Sequence, residues 1–351
     1  MTNLAGSLPL LLFVACVLMN HRNIISLIIT MSTFVEEYTS LSHGKTFIRW
    51  DNVQTPPQSN NCPILLFIHG ATVPSWQFDE IVPELLRHTE LQHYRVLRLD
   101  LWGHGRSARP DAEYNLDLFV AQVIDVIDRC CTGCKHIIGV GHSMGSAILS
   151  KVVSMKQENF RYLILVAPML DYKSLNPHSR LLSLPVFGEI LMRNSIVPAL
   201  KRRRAEKYSA IGLPELGDQF ASEIQERDGE LSFSDMLLRM FRHGAVGDQS
   251  SAYDGLAESR NSGNDDKLLL NIHVMWGELD AVANEQQILR ILRRLGDIAD
   301  VNETQMRGSL EKSGAGVSYK KFDGFEHDLL LSHPKECAEE IVMFLKRASV
   351  A

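Results

Sequence analysis

The chain has 351 residues, 45% hydrophobic and 22% charged, the composition of an ordinary globular protein with a sizeable core. Its net charge of −6 and isoelectric point near 6.1 argue against a nucleic-acid-binding role, which calls for global basic character. Of six cysteines, Cys130, Cys131 and Cys134 cluster while Cys16, Cys62 and Cys337 stand apart; no second pair completes a four-ligand zinc site, so they read as reduced loop thiols.

Residues 1–31 form an apolar N-terminal segment. Leu4 to Met19 is interrupted only by Gly6, Ser7 and Pro9, the polar break Asn20-His21-Arg22-Asn23 follows, and Ile24 to Ile29 is apolar again. A secretory signal would want basic residues ahead of the run and a small-x-small site after it, and neither is present. Leu4 to Ile29 is long enough to span a bilayer if the break is tolerated. Three readings stand: a membrane anchor, which is slightly favoured; a poorly formed signal; or sequence upstream of a true start at Met31, which would leave a cytoplasmic enzyme.

From residue 32 onward, short aliphatic runs alternate with longer amphipathic segments, as in βαβ units on a mostly parallel sheet. The spacing predicts strands at Thr46–Trp50, Pro63–Ile68, Tyr94–Asp100, His136–Val140 and Tyr162–Ala167, with helices at Phe78–His88, Leu116–Arg129 and Ser146–Val153. Regularity lapses between Met169 and Lys267, where apolar helix-like pieces, the basic run Lys201-Arg202-Arg203-Arg204 and a polar linker at Glu258–Asp266 occur. A structureless loop of that length is improbable in a compact domain, so 169–267 reads as a helical cap inserted into a core formed by 32–168 and 268–351. The core resumes with a strand at Leu268–Met275, a helix at Glu285–Leu295, a strand at Val317–Phe322 and a helix at Pro334–Lys346.

The stretch Gly141-His142-Ser143-Met144-Gly145 lies between a strand and a helix, the setting of a nucleophile elbow. A sharp turn at Ser143 requires small residues on either side, hence Gly141 and Gly145. It sets the hydroxyl at a helix N-terminus, where the Met144 N–H can stabilise negative charge. A serine needs a base, and the base needs an orienting acid. In an open α/β sheet both belong on loops at the carboxyl ends of strands. Asp280 follows the strand ending at Met275, and His327 follows the strand ending at Phe322, giving the order Ser143, Asp280, His327. Asp171, Glu278 and Asp328 compete for the acid; strand-end position ranks Asp280 first and Asp171 second. The second oxyanion donor should come from His69-Gly70-Ala71-Thr72, where Gly70 allows close approach and Ala71 supplies the N–H. His69, His104 and His142 read as structural or supporting, and Asp100–Ser107 as a tight supporting turn. Gly139-Val140-Gly141 is a near miss for a dinucleotide loop, since Gly145 does not fit G-x-G-x-x-G. No motif calls for a metal, nucleotide or flavin.

Taken together, His69-Gly70, Asp100-x-x-Gly103-His104-Gly105-x-Ser107, Gly141–Gly145, Trp276-Gly277-x-x-Asp280 and Gly324-x-x-His327 resemble the α/β-hydrolase superfamily, in its "abhydrolase 1" branch, from about Pro63 to Phe344. The Gly-His-Ser-Met-Gly elbow and His-Gly-Ala loop look like monoacylglycerol lipases and lysophospholipases; Trp76 looks more like hydrolases of small esters and carbon–carbon bonds. The resemblance implies an eight-stranded, mostly parallel sheet with helices on both faces and a cap between strands six and seven. It implies Ser143 as nucleophile, His327 as base, Asp280 as orienting acid, and Ala71 and Met144 as oxyanion donors. Epoxide hydrolases and haloalkane dehalogenases of this superfamily carry Asp where this chain has Ser143, which argues against those activities; hydroxynitrile lyases keep a serine triad. The loop between Ile298 and Ala315 looks like an insertion.

The implied function is a serine hydrolase of lipid or medium-chain carboxylic esters. The alternatives are the same triad applied to carbon–carbon, thioester or aminoacyl bonds, or a catalytically silent fold that binds a ligand. In the cap, Leu181–Met192 is strongly apolar and precedes the basic run. It reads as packing the cap onto the core, with the basic residues on a solvated face; the competing reading is contact with an anionic lipid surface. The sequon Asn302-Glu303-Thr304 matters only in a secretory lumen.

Overall fold

The computed structural model describes residues 34–53, 63–172, 179–225, 227, 229–261, 270–296 and 316–350. The expectations for residues 1–31, for the sequon and for the loop 298–315 lie outside the described residues.

Eight strands form one sheet: β1 (Phe34–Leu41), β2 (Gly44–Asp51), β3 (Ile64–Ile68), β4 (Arg95–Leu99), β5 (Ile137–His142), β6 (Phe160–Val166), β7 (Asn271–Gly277) and β8 (Val317–Phe322). Their spatial order is β1-β2-β4-β3-β5-β6-β7-β8. The pairs β1–β2 and β2–β4 are antiparallel and the others parallel. Every residue of β3, β4 and β5 is buried, as expected of strands covered by helices on both faces. β1 was not anticipated as an individual strand. It is an edge strand, mostly exposed, and it is defined by pairing with β2 through a hairpin that closes at Leu41↔Gly44, so it carries little of the buried pattern from which a strand is read.

The helices within and after this sheet are α1 (Ile81–Leu86), α2 (Leu116–Cys130), α3 (Met144–Met155), the insertion helices α4 (Ser179–Leu182), α5 (Phe187–Leu191), α6 (Val197–Ala210), α7 (Glu215–Glu223), α8 (Phe233–His243) and α9 (Ser250–Asn261), then α10 (Glu285–Arg294), α11 (Leu329–Ser332) and α12 (Pro334–Val350). Asparagine caps open two of them: Asn115 accepts from Leu118 N, and Asn284 from Gln287 N, each satisfying an N–H that has no partner within the helix. The connection through α1 leads from β3 to β4 on one side, and that through α2 returns past β3 to β5 on the other. Right-handed crossovers therefore put α1 and α2 on opposite faces. The reversal makes the carboxyl ends of β3 and β5 a topological switch point, where a crevice opens.

Helices α4 to α8 lie between β6 and β7, as a cap. Two features of the insertion differ from the sequence reading. The residues Glu258–Asn261, expected in a linker, complete α9. That helix packs along α3 and α10, and Tyr253 donates to the Met169 carbonyl at 2.8 Å, so α9 flanks the sheet. The expectation that Leu181–Met192 packs onto the core also fails for most of the segment. Leu182 and Met192 are buried, but Leu184, Val186, Phe187 and Ile190 are 50, 70, 48 and 54% exposed. Arg242 explains the inversion: it donates to the carbonyls of Leu182 and Leu184 and to Glu189, turning the polar backbone inward and the apolar side chains out.

The interior divides in two. A main core runs through the sheet and its flanking helices and includes α8. A smaller cluster of Val73, Trp76, Tyr208, Leu216, Phe220 and Leu331 joins α6 and α7 to the loop after β3 and to α11. No described helix is long and apolar enough to cross a membrane.

Candidate active site

Ser143 sits between β5 and α3 with φ 55° and ψ −119°, a backbone conformation that L side chains rarely adopt. The flanking glycines permit it by close approach. A Cβ at Gly141 would fall 2.6 Å from the Gly145 carbonyl oxygen, and one at Gly145 would fall 2.2 Å from that of Ile68. Helix α3 can therefore press against the end of β3 only without those side chains. Gly70 likewise brings the loop after β3 over the serine, since a Cβ there would lie 3.2 Å from Ser143 Cβ.

His327 Nε2 is 3.0 Å from Ser143 Oγ, and His327 Nδ1 is 2.8 Å from Asp280 Oδ2. With Asp280 accepting from Nδ1–H, Nε2 is left as the proton acceptor that faces the hydroxyl. Asp280 is fixed in turn, its Oδ1 accepting from the N–H groups of Val282 and Ala283 at 2.8 Å each. Burial works to raise its pKa, but His327 and these N–H donors outweigh burial and hold the carboxyl below its usual value. Gly277 is what brings the two loops together: a Cβ there would meet the Phe325 carbonyl oxygen at 2.2 Å.

The other acids take different places. Asp171 is tied through its backbone N–H and carbonyl to Gln287. Glu278 accepts from Gly324 N at 3.1 Å, bracing the turn before His327. Asp328 pairs with Arg204 and Lys207 of α6. Of the acids weighed in the sequence, Asp280 is the one bonded to the His327 ring.

Three further histidines form a scaffold. His69 Nε2 accepts from Leu101 N at 2.8 Å, so its Nδ1–H donates to the Gly70 carbonyl at 2.7 Å. The Gly70 carbonyl and the Ala71 N–H belong to one planar peptide, so the grip of His69 on that carbonyl also sets the direction of the Ala71 N–H, while His104 Nε2 lies 2.9 Å from the Ala71 carbonyl and steadies the next peptide. The loop bearing His104 is closed by Ser107, which donates to the Asp100 carbonyl at 2.6 Å, and by Asp100, which accepts from Ser75 N and Arg106 N. His142 Nε2 bonds the His327 carbonyl at 3.0 Å. Burial lowers the pKa of all three, that of His69 well below its usual value and those of His104 and His142 to about 4. They are neutral braces. The Met144 N–H heads α3, where no preceding turn supplies an acceptor. Ala71 follows Gly70, whose Cβ position lies 3.2 Å from Ser143 Cβ, so it sits on the loop that passes over the serine. Among the described residues no group of three potential metal ligands occurs.

With this geometry in view, the comparison with known proteins is direct. Residues 65–340 match the model of the alpha/beta hydrolase family. The chain belongs to that family. A putative esterase/lipase of Haemophilus influenzae is 31% identical over 109 residues, 31% of this chain and 35% of that protein. The non-heme chloroperoxidase of Streptomyces lividans is 24% identical over 288 residues, 80% of this chain and 91% of that protein. The first curated relatives are matched over 48% of their own length. Among solved structures, a carboxylesterase of Nitrososphaera gargenis superposes with a TM-score of 0.61 at 15% identity, covering 89% of this chain and 99% of its own, a likeness of fold. This member of the family thus has a putative esterase/lipase among its relatives, on the fold that its motifs implied.

Two residues near the site take places that the sequence reading does not give them. Arg204 was read as part of a solvated basic run, and Asp328 as a rival acid. The signal was periodic: Val197, Leu200, Arg204, Tyr208 and Ile211 recur at helical spacing, which places Arg204 on the inward side of α6.

Proposed function

We propose that the chain is a serine hydrolase that cleaves carboxylic esters, with lipid or medium-chain acyl esters as the preferred class. The observation that carries this reading is the continuous chain of contacts from Asp280 through His327 to Ser143 Oγ at the elbow. As the Oγ attacks the ester carbonyl, its proton passes to His327 Nε2 and the carbonyl oxygen becomes an oxyanion beside the N–H groups of Ala71 and Met144. Collapse expels the alcohol, which takes the proton from His327, and leaves an acyl group on Ser143. Water then gives a proton to His327 and attacks the acyl carbon; the second collapse returns that proton to Oγ and releases the acid. No step calls for a cofactor.

The test is a fluorophosphonate probe together with a panel of p-nitrophenyl esters, acyl-CoA and aminoacyl amides. Wild type is expected to take the label and to turn over esters fastest, and Ser143→Ala to do neither. Labelling of both proteins, or of neither, overturns the reading. Faster turnover of the thioester or amide moves the substrate class while keeping the triad.

A lipid-surface role for the cap is supported by the exposed row Leu184, Val186, Phe187 and Ile190. The same helical rod continues into Lys201, Arg202 and Arg203, all exposed. Residues 181–210 hold six basic and two acidic side chains in a chain of net charge −6, so this region complements an anionic bilayer that would also receive the apolar row. The full chain should sediment with phosphatidylglycerol-containing vesicles, and Phe187→Glu with Ile190→Glu should weaken that binding; equal binding by the variant would remove the cap from contact.

A further inference from the structure

We infer that Arg204, carried on the cap, is a positioning residue that sets the spacing between the base and the oxyanion loop. This assignment rests on the Ser143 reading given above. Its basis is one guanidinium that reaches both catalytic loops. Arg204 Nη1 donates to Asp328 Oδ2, on the residue after His327. Arg204 Nη2 donates to Thr72 Oγ1 at 3.1 Å, on the residue after Ala71. Lys207, one turn along α6, bonds Asp328 Oδ2 at 3.0 Å and Glu326 Oε2 at 2.8 Å, so both sequence neighbours of His327 are held from the cap.

The pair is built into the protein. The side chains of Arg204 and Asp328 are 14 and 9% exposed, and a planar fork with fixed donors holds two acceptors at a set distance in a way that a lysine ammonium cannot. Burial alone would raise the Asp328 pKa, yet Arg204 and Lys207 keep the carboxylate ionised far below its usual range. An ion pair with so little solvent around it weakens sharply when one partner is removed, because the other is left buried and unpaired. Catalysis depends on sub-ångström placement of the base against the oxyanion donors. A docked cap therefore holds the two loops in register, and a displaced cap releases both.

The experiment measures kcat and KM for p-nitrophenyl butyrate, and the fluorophosphonate labelling rate, in wild type, Arg204→Lys, Thr72→Val and Thr72→Ser, with Tm as a folding control. Thr72→Val and Arg204→Lys should each lower kcat about tenfold with KM changed less than about twofold, and slow labelling in step, since the loss is one of geometry at the reacting atoms. Thr72→Ser, which restores the hydroxyl, should recover the wild-type kcat. Should Arg204→Lys fail to fold, the two Thr72 variants decide the matter. A kcat unchanged in Thr72→Val, a rise in KM alone, or a failure of Thr72→Ser to rescue overturns the assignment while the Ser143 reading stands. A wild type that neither turns over nor labels overturns both.

Discussion

Asp280 shows how much one side chain's surroundings decide. It is almost fully buried, yet two backbone N–H groups and the His327 ring stabilise its charge. Asp280→Asn keeps the shape but offers an amide where His327 Nδ1–H needs an acceptor, favouring the wrong tautomer. We expect kcat to fall by about 10³ to 10⁴-fold with Tm little changed, measured on the best ester of the panel. An activity within tenfold of wild type would mean that another acid orients the ring. This pairing was readable in the sequence to the extent that strand ends are readable: Asp280 follows the strand that contains Ile272–Met275, and His327 follows the strand Val317–Phe322. The role of Asp328 was not readable, because its partner Arg204 lies more than a hundred residues away on a helix whose docking no local pattern encodes.

At the scale of elements, the decisive contact is α3 against β3. The Gly145 Cβ position lies 2.2 Å from the Ile68 carbonyl oxygen and 2.6 Å from that of His69, both backbone atoms that cannot swing aside. Gly145→Ala should thus displace α3 and lower stability by about 2 to 4 kcal/mol, seen as a shift in the urea midpoint with Ser143 labelling also lost; an unshifted midpoint would show that α3 stands further from β3. The buried strands and the amphipathic helices were legible because their residues repeat at periods set by the backbone. β1 was less so, being an exposed edge strand, and the cap segment 181–192 misled, because an apolar run does not say which way it faces. Its direction is set by Arg242, which gathers the backbone carbonyls of that segment from another helix.

The molecule as a whole should be sensitive to mild acid. His69, His104 and His142 are buried and neutral, with folded pKa values below the unfolded value of 6.5, about 4 for the latter two. Between those values the unfolded chain binds protons that the folded chain refuses. Stability is therefore full above about pH 6.5 and falls as pH drops toward 4, by up to about 1.4 kcal/mol per pH unit for each histidine. Calorimetry should show Tm nearly level above about pH 6.5 and falling as pH drops from there to about 5, with a shallower slope in His104→Gln. A flat profile would show that these rings accept protons in the folded state.

The division of the interior into two clusters has a thermal consequence. Helices α6 and α7 rest mainly on the small apolar cluster, with Val197 at the start of α6 reaching the large core that the sheet shares, and regions with fewer buried contacts open first. On warming, α6 and α7 should lift while the sheet is still intact, so activity fades reversibly several degrees below the calorimetric transition. Amide exchange in residues 197–223 should quicken over that same interval, ahead of β3 to β7. The working temperature of this protein would then be set by the smaller of its two clusters.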